Sequence, residues 1–380
     1  MFDPLSPVEI APGTFWVGKR DPKSIFHSNP YLRVFDGVDP RTQQAIQFNI
    51  LIDPGSSSDV AIVSAKIASV LGNVGRLSAI FINHQDPDVG SSAPMLTARH
   101  APKASVVCSE DTWRLIVHTG LSRERFVPTD RYAHGLKLPT QHHVIPVPSP
   151  FCHFRGAVML YDPQTRVLFS GDLFGGLTPE DAKGLDADLS DWAGMRAFHQ
   201  LYMPATAALA RAVDAIRRLD PPVEIIAPQH GRIIRGDLVR EYMSRIEKLP
   251  VGLDVLDDDE DSLLAWNHVL QRVLILAREV LGPTAEARLA EDPVLADTVR
   301  FEPGGVVITS LGRWTVERSL EVLTDGESAG VSNLMKMEAM NVADQLQLPA
   351  PRINIEEQPV AVSASAALGG FAHVTAFREY

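Results

Sequence analysis

The sequence predicts an α/β protein: a two-sheet αββα sandwich over residues 1–250, an acidic linker over 251–262, and a smaller C-terminal domain, mostly helical or α+β, over 263–380. Three observations carry this. Short apolar runs of strand length alternate with helical patterns through the first part of the chain. An acidic break, Leu253-Asp254-Val255-Leu256-Asp257-Asp258-Asp259-Glu260-Asp261, follows. Beyond it, apolar residues recur mainly at helical spacing.

In chain order, Gly13–Gly18, Tyr31–Phe35 and Ile46–Asp53 read as strands and Asp59–Leu71 as a helix. Leu77–Ile82, Ser105–Cys108, His143–Val147, Ala157–Tyr161 and Arg166–Ser170 read as further strands. Met195–Leu219 keeps Phe198, Leu201, Tyr202, Ala205, Leu209, Ala212, Val213 and Ile216 on one face, so one long helix is expected, ended by Pro221 and Pro222. Val223–Ala227 is a strand and Gly236–Leu249 a closing helix. The acidic run is read as a solvated linker or helix start; it lacks the Gly and ligand spacing of a calcium loop. In the last third, Ser262–Leu281 is an amphipathic helix, Gly304–Leu311 a strand pair or turn, and Trp314–Leu323 a short helix. Val331–Leu346 is Met-rich with helical spacing, read as core packing with a partner surface as the alternative. A strand is expected around Ala372–Phe377. No Gly-rich loop that would cradle a flavin phosphate is visible, and no internal repeat.

Composition narrows the function. The 380 residues are 45% hydrophobic, enough for a large core, and the net charge is 35 − 47 = −12 without a long basic block. Nucleic acid and electrostatic binding to anionic membranes are therefore not expected. No apolar run reaches the roughly 20 residues of a bilayer span, and Met1-Phe2-Asp3-Pro4-Leu5-Ser6-Pro7 lacks the basic start and apolar segment of a signal peptide. Cys108 and Cys152 make no disulfide framework, so the expected compartment is the cytoplasm.

The run Asn83-His84-Gln85-Asp86-Pro87-Asp88-Val89-Gly90 places one imidazole and two carboxylates at i, i+2 and i+4 after an apolar strand. Such residues are also ordinary turn formers. Three later segments supply matching donors: His153 in Ser149-Pro150-Phe151-Cys152-His153, Asp172 after Val167–Gly171, and His230 after Ile225–Gln229. All lie at strand ends or in adjoining loops, where a rigid sheet can hold them. Two carboxylates in the first group suit iron or manganese better than zinc alone.

The order His-x-Asp-x-Asp, then His, then Asp, then His resembles the metallo-β-lactamase superfamily, and Leu51-Ile52-Asp53-Pro54-Gly55 resembles its early strand with a structural Asp. The resemblance covers about residues 1–250. Zinc hydrolases of that superfamily usually carry His-x-His-x-Asp-His; here Asp86 stands at the second His and Val89 at the last. An acidic residue there, Ser-Pro-x-x-His before Asp172 and Gly-Asp-Leu-Phe-Gly around it are similar to the diiron branch, the flavodiiron and oxygen-binding diiron proteins. The resemblance implies that His84, Asp86 and His153 bind a first iron, that Asp88 and His230 bind a second, and that Asp172 bridges them. Val89 cannot ligate, which leaves the second iron with three protein ligands and open positions.

Around this set, Asp53 is expected to support the site by hydrogen bonding, and Cys152 to be a packed small residue. His142 and His143 are read as surface or packing residues, with approach to the second metal as the alternative. His100, His118, His134 and His199 are read as structural, and Tyr161, Tyr202 and Trp192 as possible pocket walls. The expected function is a cytoplasmic, homo-oligomeric non-haem diiron protein that binds dioxygen or a similar diatomic as a sensor or carrier, with no FMN domain. Its second domain would dimerise or pass the state to a signalling partner. The alternatives are an O₂, NO or peroxide reductase fed by a separate electron donor, and a dinuclear metal hydrolase.

Overall fold

The computed structural model describes residues 3–21, 24–132, 135–179, 182–255, 260–302 and 305–355, without the side chains of 260 and 261. Expectations for Met1-Phe2, His134, Leu256–Asp259, Gly304 and the strand Ala372–Phe377 lie outside the described residues. The chain divides into two compact units, Met1–Asp257 and Asp258–Tyr380.

The first unit is built on two sheets. One runs in chain order through β1 (Val8–Ala11), β2 (Thr14–Trp16), β3 (Tyr31–Val38), β4 (Ala45–Ile52), β5 (Ala79–Phe81), β6 (Ser105–Cys108) and β7 (Phe126–Pro128). Its first four strands are antiparallel, and β4 to β7 are parallel. The other has the order β13 (Ile234–Arg235), β12 (Ile225–Pro228), β11 (Val167–Gly171), β10 (Val158–Asp162), β9 (His143–Pro148), β8 (Leu136–Lys137), antiparallel except for β11 with β12. The inner faces share an apolar core that includes Phe35, Ile52 and Phe81 from one sheet and Leu160, Phe169 and Ala227 from the other. Arg33 of β3 donates to Asp162 of β10 at 2.7 Å, a buried ion pair that ties the sheets together. The outer face of the first sheet packs Val63, Ile67 and Leu71 of helix Val60–Leu71; that of the second packs helices Asp191–Tyr202, Thr206–Arg217 and Asp237–Ile246. The result is the expected αββα sandwich.

The single long helix expected over Met195–Leu219 is corrected to two, Asp191–Tyr202 and Thr206–Arg217. Pro204 forces Met203 out of the helical region, to ψ 137°, and removes a backbone donor. The apolar spacing of the sequence runs through the break and so merged the two helices, although Leu201 and Tyr202 of that stripe are exposed. Thr206 N–H is taken by the Asp254 carboxylate at 2.7 Å, and Leu253 N–H by Pro204 O at 2.9 Å, so the start of the acidic run is folded onto the first unit. Helix Glu110–Ile116, which the apolar pattern did not show, is capped by Ser109, whose hydroxyl accepts from Thr112 N–H at 3.1 Å.

The second unit consists of helices Glu260–Leu281, Thr284–Glu291, Gly312–Thr324 and Ala329–Gln345 with a hairpin of β14 (Val299–Glu302) and β15 (Gly305–Ile308) among its described residues. Trp266, Leu270, Leu274, Leu320, Met335 and Ala339 form its core. The Met-rich helix divides its methionines: Met335 is buried, whereas Met337 is half-exposed. No helix among the described residues is long and apolar enough to cross a membrane.

Candidate metal centre

Each predicted ligand is set by the end of a strand. β5 delivers Asn83 and His84, and the chain turns into the short helix Pro87–Gly90, with Asp86 just before it and Asp88 in its first turn. His153 lies in the loop between β9 and β10; Asp172 follows β11, and His230 follows β12. Asp53, at φ 48° after β4, is fully buried and accepts Asn83 N–H at 2.8 Å. Asn83 donates from Nδ2 to Val158 O across the sandwich at 2.7 Å, and its Oδ1 faces His84 Nδ1 at 2.9 Å. His230 Nδ1 faces His27 O at 2.8 Å. Both imidazoles are thereby oriented with Nε2 inward, the way outer hydrogen bonds orient metal-ligating His. Gly171, at φ 62°, is required: a Cβ there would sit 2.2 Å from Asn83.

The six predicted ligands form two adjoining groups. In the first, His153 Nε2 lies 3.0 Å from Asp86 Oδ2 and 3.4 Å from Asp172 Oδ2, and His84 Nε2 lies 3.6 Å from each of the same two oxygens. These four donor atoms all lie within 4.8 Å of one another. In the second, His230 Nε2 lies 3.3 Å from Asp88 Oδ2 and 3.5 Å from Asp172 Oδ1. Asp172 offers one oxygen to each group. Two donors about 2.1 Å from one ion, at tetrahedral or octahedral angles, stand roughly 3.0–3.4 Å apart, close to these separations. His84 Nε2 and Asp172 Oδ1 are buried and have no hydrogen-bond partner. A cation between them would supply the missing partner for both. The four-donor group fits a metal ion, and Asp172 turns its other oxygen to His230, which also faces Asp88.

Charge inside the cluster is balanced in the same sense. Burial alone would lower the His84 pKa, but the Asp172 and Asp86 carboxylates outweigh it and lift it to about 9. Burial would raise Asp86, but the hydrogen bond from His153 and the nearby His84 imidazole hold it well below the usual carboxylate range. His230 is raised in spite of burial, chiefly by its bond with Asp88, and Asp88 is lowered correspondingly.

Several supporting residues were not legible as such. His199, fully buried, accepts Phe174 N–H at Nε2 (3.1 Å) and faces Met195 O with Nδ1 (2.8 Å), so it fixes the turn after Asp172. Burial lowers its pKa to about 4 and keeps it neutral. Asn29 donates to Pro228 O at 3.1 Å and Gly231 O at 3.0 Å, bracing the His230 loop, while Gln229 donates to Asp88 O at 3.1 Å. Phe26 stacks on His230 with ring centroids 4.3 Å apart, and Tyr202 lies 6.1 Å from His153; both are partly exposed and border the centre. Of the other expected walls, Tyr161 donates to Pro221 O and Trp192 packs on Tyr242, and both belong to the core of the second sheet. Cys152 is buried in that same core. His142 packs by Phe35, with ring centroids 5.4 Å apart. Val89 is fully buried in the apolar cluster with Ile82, Ala93 and Leu96.

A sandwich of this kind with a paired His/Asp centre defines a class, the metallo-β-lactamase fold carrying a dinuclear-type donor set. Residues 26–231 match the family described as ODP family beta lactamase, and the chain belongs to it. It is similar to the type A flavoprotein fprA of Rhodobacter capsulatus, 29% identical over 65% of this chain and 56% of the relative. The nitric oxide reductase of Moorella thermoacetica is 21% identical over 61% of this chain and 58% of its own length. The chain thus spans between half and two thirds of these relatives. Among solved structures it is similar to the chemotaxis sensor ODP. A peroxy diiron species of that sensor is 26% identical, with a TM-score of 0.52 over 64% of this chain and 93% of the other. Its apo state from T. denticola is 25% identical, with a TM-score of 0.50 over 66% and 96%.

Proposed function

We propose that this chain is a non-haem diiron protein that binds dioxygen as a sensor or carrier. The observation that carries the reading is the Asp172 carboxylate, whose two oxygens face two separate His/Asp groups. His84, Asp86 and His153 would hold one iron, Asp88 and His230 the other, and Asp172 would join them. Two ferrous ions held by these residues would supply the electrons that capture of a diatomic needs.

This chain's residues supply the rest. Asn83 and the His27 carbonyl orient the imidazoles, His199 holds the turn that presents Asp172, and Phe26 and Tyr202 give the entrance an apolar border. Kinship with a diiron chemotaxis sensor supports the sensing role, in which the second unit dimerises or contacts a signalling partner. The likeness to a nitric oxide reductase supports a second reading, turnover of O₂ or NO with electrons from a separate donor protein. The two separate in one experiment. Under the sensor reading, the iron-loaded chain with a chemical reductant and excess O₂ consumes about one equivalent per centre and stops. Sustained O₂ or NO consumption supports the reductase and rejects the sensor reading.

A further inference from the structure

The two sheets of the first unit do not fill the space between them everywhere. A half-open cavity of about 210 Å³ lies between Ile50, Ala79, Phe81 and Val107 on one sheet and Val144 and Leu160 on the other. The register explains it. Ile50 of β4 pairs with Ala79 of β5, and Ala79 pairs with Ser105 of β6, so two small side chains stand side by side where the neighbouring row carries Phe81 and Val107. Leu136 of β8, which pairs with Val144, borders the same space, as do Tyr132 and Lys137. Apart from Ser105, Tyr132 and Lys137, every lining side chain is hydrocarbon.

We propose that this cavity is a binding site for a small apolar organic molecule no larger than a single aromatic ring with a short substituent. A void of roughly 150 Å³ already admits benzene, so this space has room for one ring against its mostly apolar walls. The lining atoms forfeit dispersion contacts while the space is empty, and an apolar guest restores them. The donor atoms of the metal centre are not among the lining groups, so the site stands independently of the iron reading.

Thermal unfolding of the full chain with increasing benzene tests this. The wild-type midpoint is expected to rise with benzene concentration and to keep rising with its logarithm above the dissociation constant, as for any ligand bound by the folded state alone. Ala79→Leu, which fills the cavity, is expected to begin at an equal or higher midpoint and to lose the benzene response. Should that variant not fold, Ser105→Leu, which adds a comparable volume from the neighbouring strand, carries the same comparison. A wild-type midpoint that does not rise, or an equal rise in a folded filled variant, overturns the proposal.

Discussion

The two halves of the candidate centre share one carboxylate and differ in everything else. On one side His84, Asp86 and His153 join Asp172 as four donors; on the other only Asp88 and His230 join it. The position where the zinc hydrolases and flavodiiron proteins carry another His is Val89, turned into the apolar core. The difference teaches where binding and reactivity separate. A filled donor set holds an ion, whereas a sparse one leaves places for an outside ligand. Dioxygen is therefore expected at the Asp88/His230 side.

The largest effect on this asymmetry is expected from Asp172→Asn, which removes the charge common to both halves. Metal analysis after iron loading should fall from two ions per chain to fewer than one; full retention of two would reject the bridging role. His84→Ala and His230→Ala should split the halves. The first loses the four-donor ion, and the second keeps one tightly held ion while abolishing oxygen binding. Equal loss in both variants would mean that the two groups do not act as separate sites.

A smaller effect concerns the turn that presents Asp172 to both halves. His199 has its pKa lowered from 6.5 to about 4 by burial, so the folded state binds its proton less readily than the unfolded state. The stabilisation is present above pH 6.5 and is lost as pH falls toward 4. It amounts to about 3 kcal/mol as an order of magnitude. Urea unfolding across that window should show a steeper loss in the wild type than in His199→Gln; parallel curves would contradict the role. The smallest effect is expected from Val89→His. An imidazole next to Asp88 should tighten the sparse half and slow oxygen binding by less than tenfold, with roughly 1 kcal/mol at stake. Unchanged kinetics would show that an imidazole introduced at residue 89 stays in the apolar cluster that holds Val89 and does not swing to the ions.

Much of the centre was legible because its chemistry is local. His84, Asp86 and Asp88 share one turn, and His153, Asp172 and His230 each follow or adjoin an apolar strand, so order and spacing together with the family resemblance marked all six as candidates. The orienting groups were not legible, because they act across the sandwich. Asn83 reaches Val158, 75 residues away, and His27 meets His230 across 203 residues through a backbone carbonyl that any residue type could present. His199 looked like one more helical His until the fold placed it under Phe174. The helix break at Pro204 was hidden because the apolar stripe continues through it. The second unit was readable as helices from its Leu and Val periodicity, but helical spacing carries no chemistry, and nothing in its residues marked a task.

The most direct test of the central claim is an optical spectrum of the iron-loaded, anaerobically reduced chain, recorded before O₂ is admitted, after it is admitted, and after it is removed. The account predicts a visible charge-transfer band that appears with O₂ and fades on deoxygenation. A chain that retains no iron, or one whose spectrum does not respond to O₂, would contradict it.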